Sequence, residues 1–248
     1  MSATPGARSA SGTPGALVLI PVALGDAPWP DFLPISVQQH AAQIRHFVVE
    51  NARSARAHLK RLDFPGVLCD TDIRELPAEA GDDVLDALLA PALAGEDIGL
   101  MSDAGCPAVA DPGAKLVARA HALGLRVAPL VGPSSILLGL MGSGLNGQSF
   151  AFHGYLPVAD EARNRQLRNL EDESRRLGRT QIFIETPYRN ERLFAALLRV
   201  CQPRTRLCVA RDLAAPGEYL RTLAIADWRK TPPPILAKRP ALFLLLAR

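Results

Sequence analysis

The sequence predicts an α/β protein with largely parallel or mixed sheets, organised as two successive blocks. Strand-length apolar runs alternate with longer amphipathic stretches from end to end. Two of the strand-like runs pass directly into Gly- and Pro-containing loops followed by a helical pattern. A length of 248 residues also suits two domains of about 100 to 150 residues each.

In the first block the apolar runs place strands at Ala16 to Leu24, Phe47 to Glu50, Asp97 to Met101 and Arg126 to Leu130. Helical periodicity falls at Val37 to Ile44, Ala52 to Leu62, Asp83 to Ala94 and Gly113 to Leu123. Asp111, Pro112 and Gly113 mark the start of the last of these, and Gly124 caps its end. The second block opens with a helix after Gly132, Pro133 and Ser134. Strands follow at Phe150 to His153, Thr180 to Glu185, Arg206 to Ala210 and Ala241 to Ala247, with helices over Glu161 to Leu177 and Arg189 to Val200. Pro232, Pro233 and Pro234 form a rigid loop, since three fixed φ angles and three missing donors exclude helix and central strand. The expected division is a flexible tail over residues 1–15, rich in Ser, Gly, Pro and Ala, then α/β domains over 16–130 and 131–248.

Composition narrows the classes. Hydrophobic residues make up 48% and charged residues 21%, an ordinary globular balance. No apolar run approaches the roughly 18 residues of a membrane-spanning helix, and the N-terminus has no apolar core of a secretory signal, so the expectation is a cytoplasmic protein with no membrane partner. A net charge of +3 does not identify a nucleic-acid binder; a local patch would have to carry such binding. Cys69, Cys106, Cys201 and Cys208 have no CxxC spacing, which argues against a disulfide framework and a zinc site.

The segment LMSDAGCPAVADPG, Leu100 to Gly113, is the most informative. A buried strand ends at Met101 and delivers Ser102 to Pro107 into a tight loop at its carboxyl edge, where open α/β sheets bind ligands. The plainer alternative is a turn that needs Gly and Pro for its geometry, with Asp103 as a cap. PLVGPSSILLGL, Pro129 to Leu140, repeats the device: Ser134 or Ser135 is a natural N-cap, and the helix N-terminus behind it suits a carboxylate. GxGxxG after the first strand, GxxxxGK[ST] and GxSxG are all absent, so a Rossmann dinucleotide enzyme, a P-loop NTPase and an α/β-hydrolase lose support. From the residues alone the conclusion stops at an α/β enzyme with a small ligand.

The ordered run SDAGCPAVADPG, VGPSSILLGLMGSGL, FAFHGYLP, IFIETPYRN and CVARDL resembles the tetrapyrrole methylase superfamily of S-adenosylmethionine-dependent methyltransferases, and most of all its bacterial ribosomal RNA small-subunit methyltransferase I branch. The resemblance covers roughly Leu17 to Ala247. It implies two α/β domains with the cofactor in a cleft between them, in place of a Rossmann methyltransferase sheet. It assigns cofactor contacts to Gly105, Cys106, Pro107 and Val109, to Ser134, Ser135 and Ile136, and to the second-domain positions Ile182, Phe183, Ile184, Ala210, Arg211, Pro240, Ala241 and Leu242. Backbone N–H groups would hold the cofactor's carboxylate and aliphatic side chains its adenine. Transfer of a methyl from sulfonium relies on proximity and alignment and requires no metal. A ribose 2′-hydroxyl acceptor needs help losing its proton; Glu50, Asp103 and Glu185 stand at strand ends, and the resemblance gives that role to none of them. It further implies a ribosomal RNA partner and a homodimer.

Departures from the branch fall on the acceptor side. Where it reads PTPIGNL the chain has Pro21, Val22, Ala23, Leu24, Gly25 and Asp26, and where it reads AEDTR the chain has Val49, Glu50, Asn51, Ala52 and Arg53. After CVARDL a lysine gives way to Ala214, Ala215, Pro216 and Gly217, and the sequence ends at Arg248 without the helical extension of longer members. Two alternatives therefore stand beside RNA methylation: a small acceptor such as a tetrapyrrole, and a cofactor-binding protein without turnover. The helix over Asp160 to Arg179 has six arginines that could touch phosphates, but five acidic residues among them suggest an ion-paired, solvated face.

Overall fold

A computed structural model describes residues 13–26, 28–64 and 71–248. Most of the expected tail, residues 1–12, and Cys69 lie outside the described residues. The described residues form two compact units, one from those of Met1–Ala23 with Pro28–Pro133, the other from Ser134–Arg248 joined by the short stretch after Ala23.

The first unit is a five-stranded, wholly parallel sheet in the order β3-β2-β4-β1-β5, with β1 Ala16–Leu19, β2 His46–Val49, β3 Asp72–Glu75, β4 Ile98–Met101 and β5 Arg126–Pro129. The helices are α1 Ile35–Ala41, α2 Ala52–Arg61, α3 Asp82–Leu93 and α4 Ala114–Ala122. β1 is shorter than the apolar run because Pro21 has no N–H to continue the ladder, and Val22 turns away to pair with Gly105. Alternation sorts the strands onto two cores. Val18, Phe47, Val49 and Met101 pack with Val37, Ala55 and Leu59 of α1 and α2, whereas Leu17, Val48 and Leu100 pack with α3 and α4 through Leu89 and Leu116. Gly124 ends α4 with φ +71: its N–H donates to His121 O, and Leu125 N–H reaches Ala120 O, a complete Schellman closure.

This strand order positions the site. The chain leaves β2 toward β3 and leaves β4 toward β5, in opposite directions from two adjacent strands. Their carboxyl ends are therefore the switch point at which open α/β sheets take ligands, and Glu50 and Ser102 begin the next segments there.

The second unit holds α5 Ser135–Ser143, β6 Phe150–Tyr155, α6 Asp160–Leu177, β7 Thr180–Glu185, α7 Asn190–Val200, β8 Arg206–Arg211, β9 Tyr219–Ala224, α8 Ile225–Trp228 and β10 Ala241–Leu246. Its mixed sheet runs β6-β7-β10-β8-β9; only β6 and β7 are parallel. Phe183, Leu207, Val209, Phe243 and Leu245 face α6, α7 and α8, while Ile182, Cys208, Ala210, Leu242 and Leu244 face α5. α5 lies close on β10: a Cβ at Gly139 would stand 2.3 Å from Leu242 Cδ2. The Trp228 indole N–H donates to Leu207 O at 2.8 Å, satisfying its polar handle in the core. β3, β9 and α8 have no counterpart in the sequence expectations. β3 and β9 are edge strands whose side chains are half-buried or exposed, so they lack the apolar run that marks a central strand.

Candidate functional site

The Ser102–Gly113 loop is fixed by several contacts within the first unit. Gly105 and Val22 exchange backbone hydrogen bonds of 3.2 and 2.9 Å, the Asp103 N–H donates to Glu50 Oε2 at 3.1 Å, and His58 Nε2 lies 3.0 Å from Asp103 O. The Cys106 thiol donates to Pro133 O at 3.3 Å. Burial pushes this thiol's pKa up, with Asp111 adding to the effect, so it stays protonated at neutral pH and is a poor nucleophile. Gly105 (φ +71) and Gly113 (φ +128) take left-handed backbone at no steric cost, but Ala108 (φ +66) and Ala110 (φ +64) do so under strain. Between the two alanines Val109 stands 49% exposed. A loop this constrained is shaped before any ligand arrives.

The next loop approaches closely. A Cβ on Gly132 would lie 2.2 Å from Pro21 Cβ, so glycine is required for the turn after β5 to pass the turn after β1.

Three carboxylates gather at the carboxyl end of β2 and β4. Glu50 is half-buried and engaged with the Asp103 amide, and Asp103 is exposed. The third, Asp111, was expected only as a turn residue. Burial raises its pKa to about 6, opposed by a hydrogen bond from Ser102 and reinforced by the charges of Glu50 and Asp103. Sequence spacing gave no signal for it, because Glu50 comes from another strand end and the fold of the loop brings Asp111 back onto Ser102 and Asp103 at its start. The remaining candidate, Glu185, belongs to the second unit and is already occupied: its Oε1 accepts from the Thr186 N–H at 2.6 Å and from Arg189 Nη2 at 2.6 Å. That geometry serves the turn into α7.

Asn51, one of the departures from the branch pattern, is the N-cap of α2. Its Oδ1 accepts from the Arg53 and Ser54 N–H groups at 3.0 Å each, and Glu75 Oε1 accepts from the Ala52 N–H at 2.8 Å. Aspartate would cap equally well, so the amide preserves a structural task.

In the second unit Ser134 stands at the N-cap position of α5, but its side chain makes no capping bond. The first-turn N–H groups are thus not covered by the serine that the sequence places there. Pairings of Leu242 with Ile184 and Ala210, and of Ala241 with Arg211, bring the expected second-unit residues onto three adjacent strands. Phe183 is the exception. It is fully buried on the opposite face and stacks on Phe243 at 6.2 Å, so its side chain does not join the set. Ile182, Ala210 and Leu242 are buried under α5 with Ile136. Arg211 donates through Nη1 to Ile235 O at 2.9 Å and lies over the Tyr219 ring, while its buried Nε has no partner among the described residues. An orphaned donor and open helix amides fit a polar, carboxylate-bearing cofactor. Among the described residues no three His, Cys, Asp or Glu side chains come together to hold a metal ion, and no helix is long and apolar enough to cross a membrane.

No family model matches the chain. Curated proteins do. Ribosomal RNA small subunit methyltransferase I of Xylella fastidiosa is 31% identical over 201 residues, covering 81% of this chain and 69% of that protein. The chain belongs to the ribosomal RNA small subunit methyltransferase I family. The family member of the same name from Pseudomonas aeruginosa is 38% identical over 137 residues, 54% of this chain and 47% of that protein. Over such alignments the chain spans about half the length of the curated relatives it matches. Among solved structures, the methyltransferase CobJ superposes with a TM-score of 0.60 at 15% identity, covering 94% of this chain and all of CobJ. Uroporphyrin-III-C-methyltransferase from Thermus thermophilus gives 0.52 at 18% identity, covering 94% and 92%. Both likenesses speak to the fold, the two-domain α/β architecture of the tetrapyrrole methylases.

Proposed function

We propose that the chain is an S-adenosylmethionine-dependent methyltransferase acting on a ribose 2′-hydroxyl of small-subunit ribosomal RNA, working in the cytoplasm as a homodimer. The observation that carries this is the 31% identity to a so-named relative across 81% of the chain. The constrained Ser102–Gly113 loop, shaped at the carboxyl end of β4, supports it.

When bound, S-adenosylmethionine supplies a methyl carbon already activated by sulfonium. The protein's work is then binding and alignment. Backbone groups of Gly105, Cys106, Pro107 and Val109 would hold the methionine part. The α5 amides behind Ser134, Ser135 and Ile136 suit its carboxylate. Ile184, Ala210, Arg211, Pro240, Ala241 and Leu242, at neighbouring ends of three adjacent strands, would hold the adenosine part, with the unpartnered Arg211 Nε as a polar contact. Glu50 takes the acceptor proton: the Asp103 amide fixes its Oε2 and leaves Oε1 to accept from the hydroxyl.

Calorimetric titration with S-adenosylmethionine and S-adenosylhomocysteine tests the cofactor, with Gly105→Trp as the blocked control. One saturable site per chain, lost in the control, is expected. Absence of binding by a folded sample overturns the reading. Radiolabelled methyl transfer should then appear in RNA of isolated small subunits; label appearing only in a uroporphyrin-type acceptor would replace the RNA assignment.

A further inference from the structure

Helix α2 reads ARSARAHLKR and carries Arg53, Arg56, Lys60 and Arg61 without a single acidic residue. Its charge of +4 exceeds the +3 of the whole chain, so everything outside this helix sums to −1. Ala55 and Leu59 bury its inner face, and Arg53, Arg56 and Lys60 stand exposed at helical spacing on the outer one. None of these three forms an ion pair among the described residues; Arg56 only reaches back to Ala52 O of its own helix. α6 differs. There five arginines are balanced by five acidic residues, so the helix carries no net charge: Arg163 meets Asp160 and Arg175 meets Asp172, while Arg165, Arg168 and Arg176 are exposed without an ion pair among the described residues.

From Arg53 to Lys60 the stripe runs about 10 Å at 1.5 Å per residue, and its three side chains can each meet one phosphate of a single strand. The N-terminal amides of α2 cannot hold a phosphate, because Asn51 and Glu75 already occupy them. Recognition falls to the side chains. The helix begins two residues after Glu50, and His58 ties its middle to Asp103. A strand whose phosphates follow this stripe therefore has its sugars delivered to the carboxylates at the ends of β2 and β4.

We infer that the exposed face of α2 is the docking track for the phosphate backbone of single-stranded RNA, an inference that rests on the ribosomal RNA reading above. The test is fluorescence anisotropy with a labelled single-stranded oligoribonucleotide of small-subunit ribosomal RNA sequence, across a salt series. The proteins compared are the wild type, Arg56→Gln/Lys60→Gln and, on α6, Arg165→Gln/Arg168→Gln. Loss of two phosphate contacts should lower the slope of log K against log salt by about 1.4 and weaken binding about 25-fold at 0.1 M salt. Thermal melting and S-adenosylmethionine titration of the α2 variant should be unchanged, and the α6 variant should bind like the wild type. An α2 variant that binds with wild-type affinity and slope overturns the track while leaving the RNA reading intact. A wild type that binds no RNA overturns both.

Discussion

Asp111 occupies a loop position where burial and the charges of Glu50 and Asp103 all disfavour its ionised form. With a folded pKa raised to about 6 from 3.8, this carboxyl contributes stability that is fully present below the unfolded value and is lost as pH rises through about 6. Asp111→Asn should therefore gain on the wild type between pH 4 and pH 8, by about 1 kcal/mol after allowing for solvent screening of a half-exposed group. Urea unfolding at the two pH values measures it; an equal difference at both would refute the assignment. Gly132→Ala tests close approach at the same scale. Its Cβ would meet the ring of Pro21, which cannot swing aside, and a loss of about 2 kcal/mol or more in denaturant stability is expected. The glycines and prolines of both loops were legible in the sequence as punctuation. The raised carboxyl was not, because its environment is assembled from Glu50, Asp103 and Ser102 on two different strand ends.

At the scale of elements, every central strand was legible, and of the edge strands β5 and β6 were while β3 and β9 were not. β7 Thr180–Glu185 follows its apolar run to the residue, whereas β3, Asp-Ile-Arg-Glu, has the composition of a loop and is a strand because β2 offers it an edge. The basic run of α2 was available as a sign pattern. Amphipathic periodicity alone reports only which face is buried, and the exposed face needs its charges counted separately. α2 also depends on its cap. Asn51→Ala should cost about 1 kcal/mol in thermal or denaturant unfolding, while Asn51→Asp should be close to neutral. If both substitutions behave alike, the side-chain cap is not what anchors the helix.

Across the whole molecule, two units share one chain, each with an apolar cluster on both faces of its sheet. Phe243 is fully buried on the central strand β10, and Phe243→Ala should destabilise the second unit by about 3 to 5 kcal/mol. Amide exchange should locate that loss in β7, β8 and β10. Charge also acts at this scale. With +4 on one helix and −1 elsewhere, the chain is no general polyanion binder. Wild-type RNA affinity should fall with salt with a slope near −2, the value for about three phosphates on a single strand, and a much steeper slope would point to contacts beyond α2.

The left-handed alanines at 108 and 110 bear on how this protein would respond to selection. Glycine at either position would relieve about 1 to 2 kcal/mol of backbone strain while returning roughly half of it as unfolded-chain entropy. A laboratory screen for heat resistance should therefore enrich Ala108→Gly and Ala110→Gly. The survivors would carry a looser loop around Val109, so durability and ligand affinity would diverge within the same few residues.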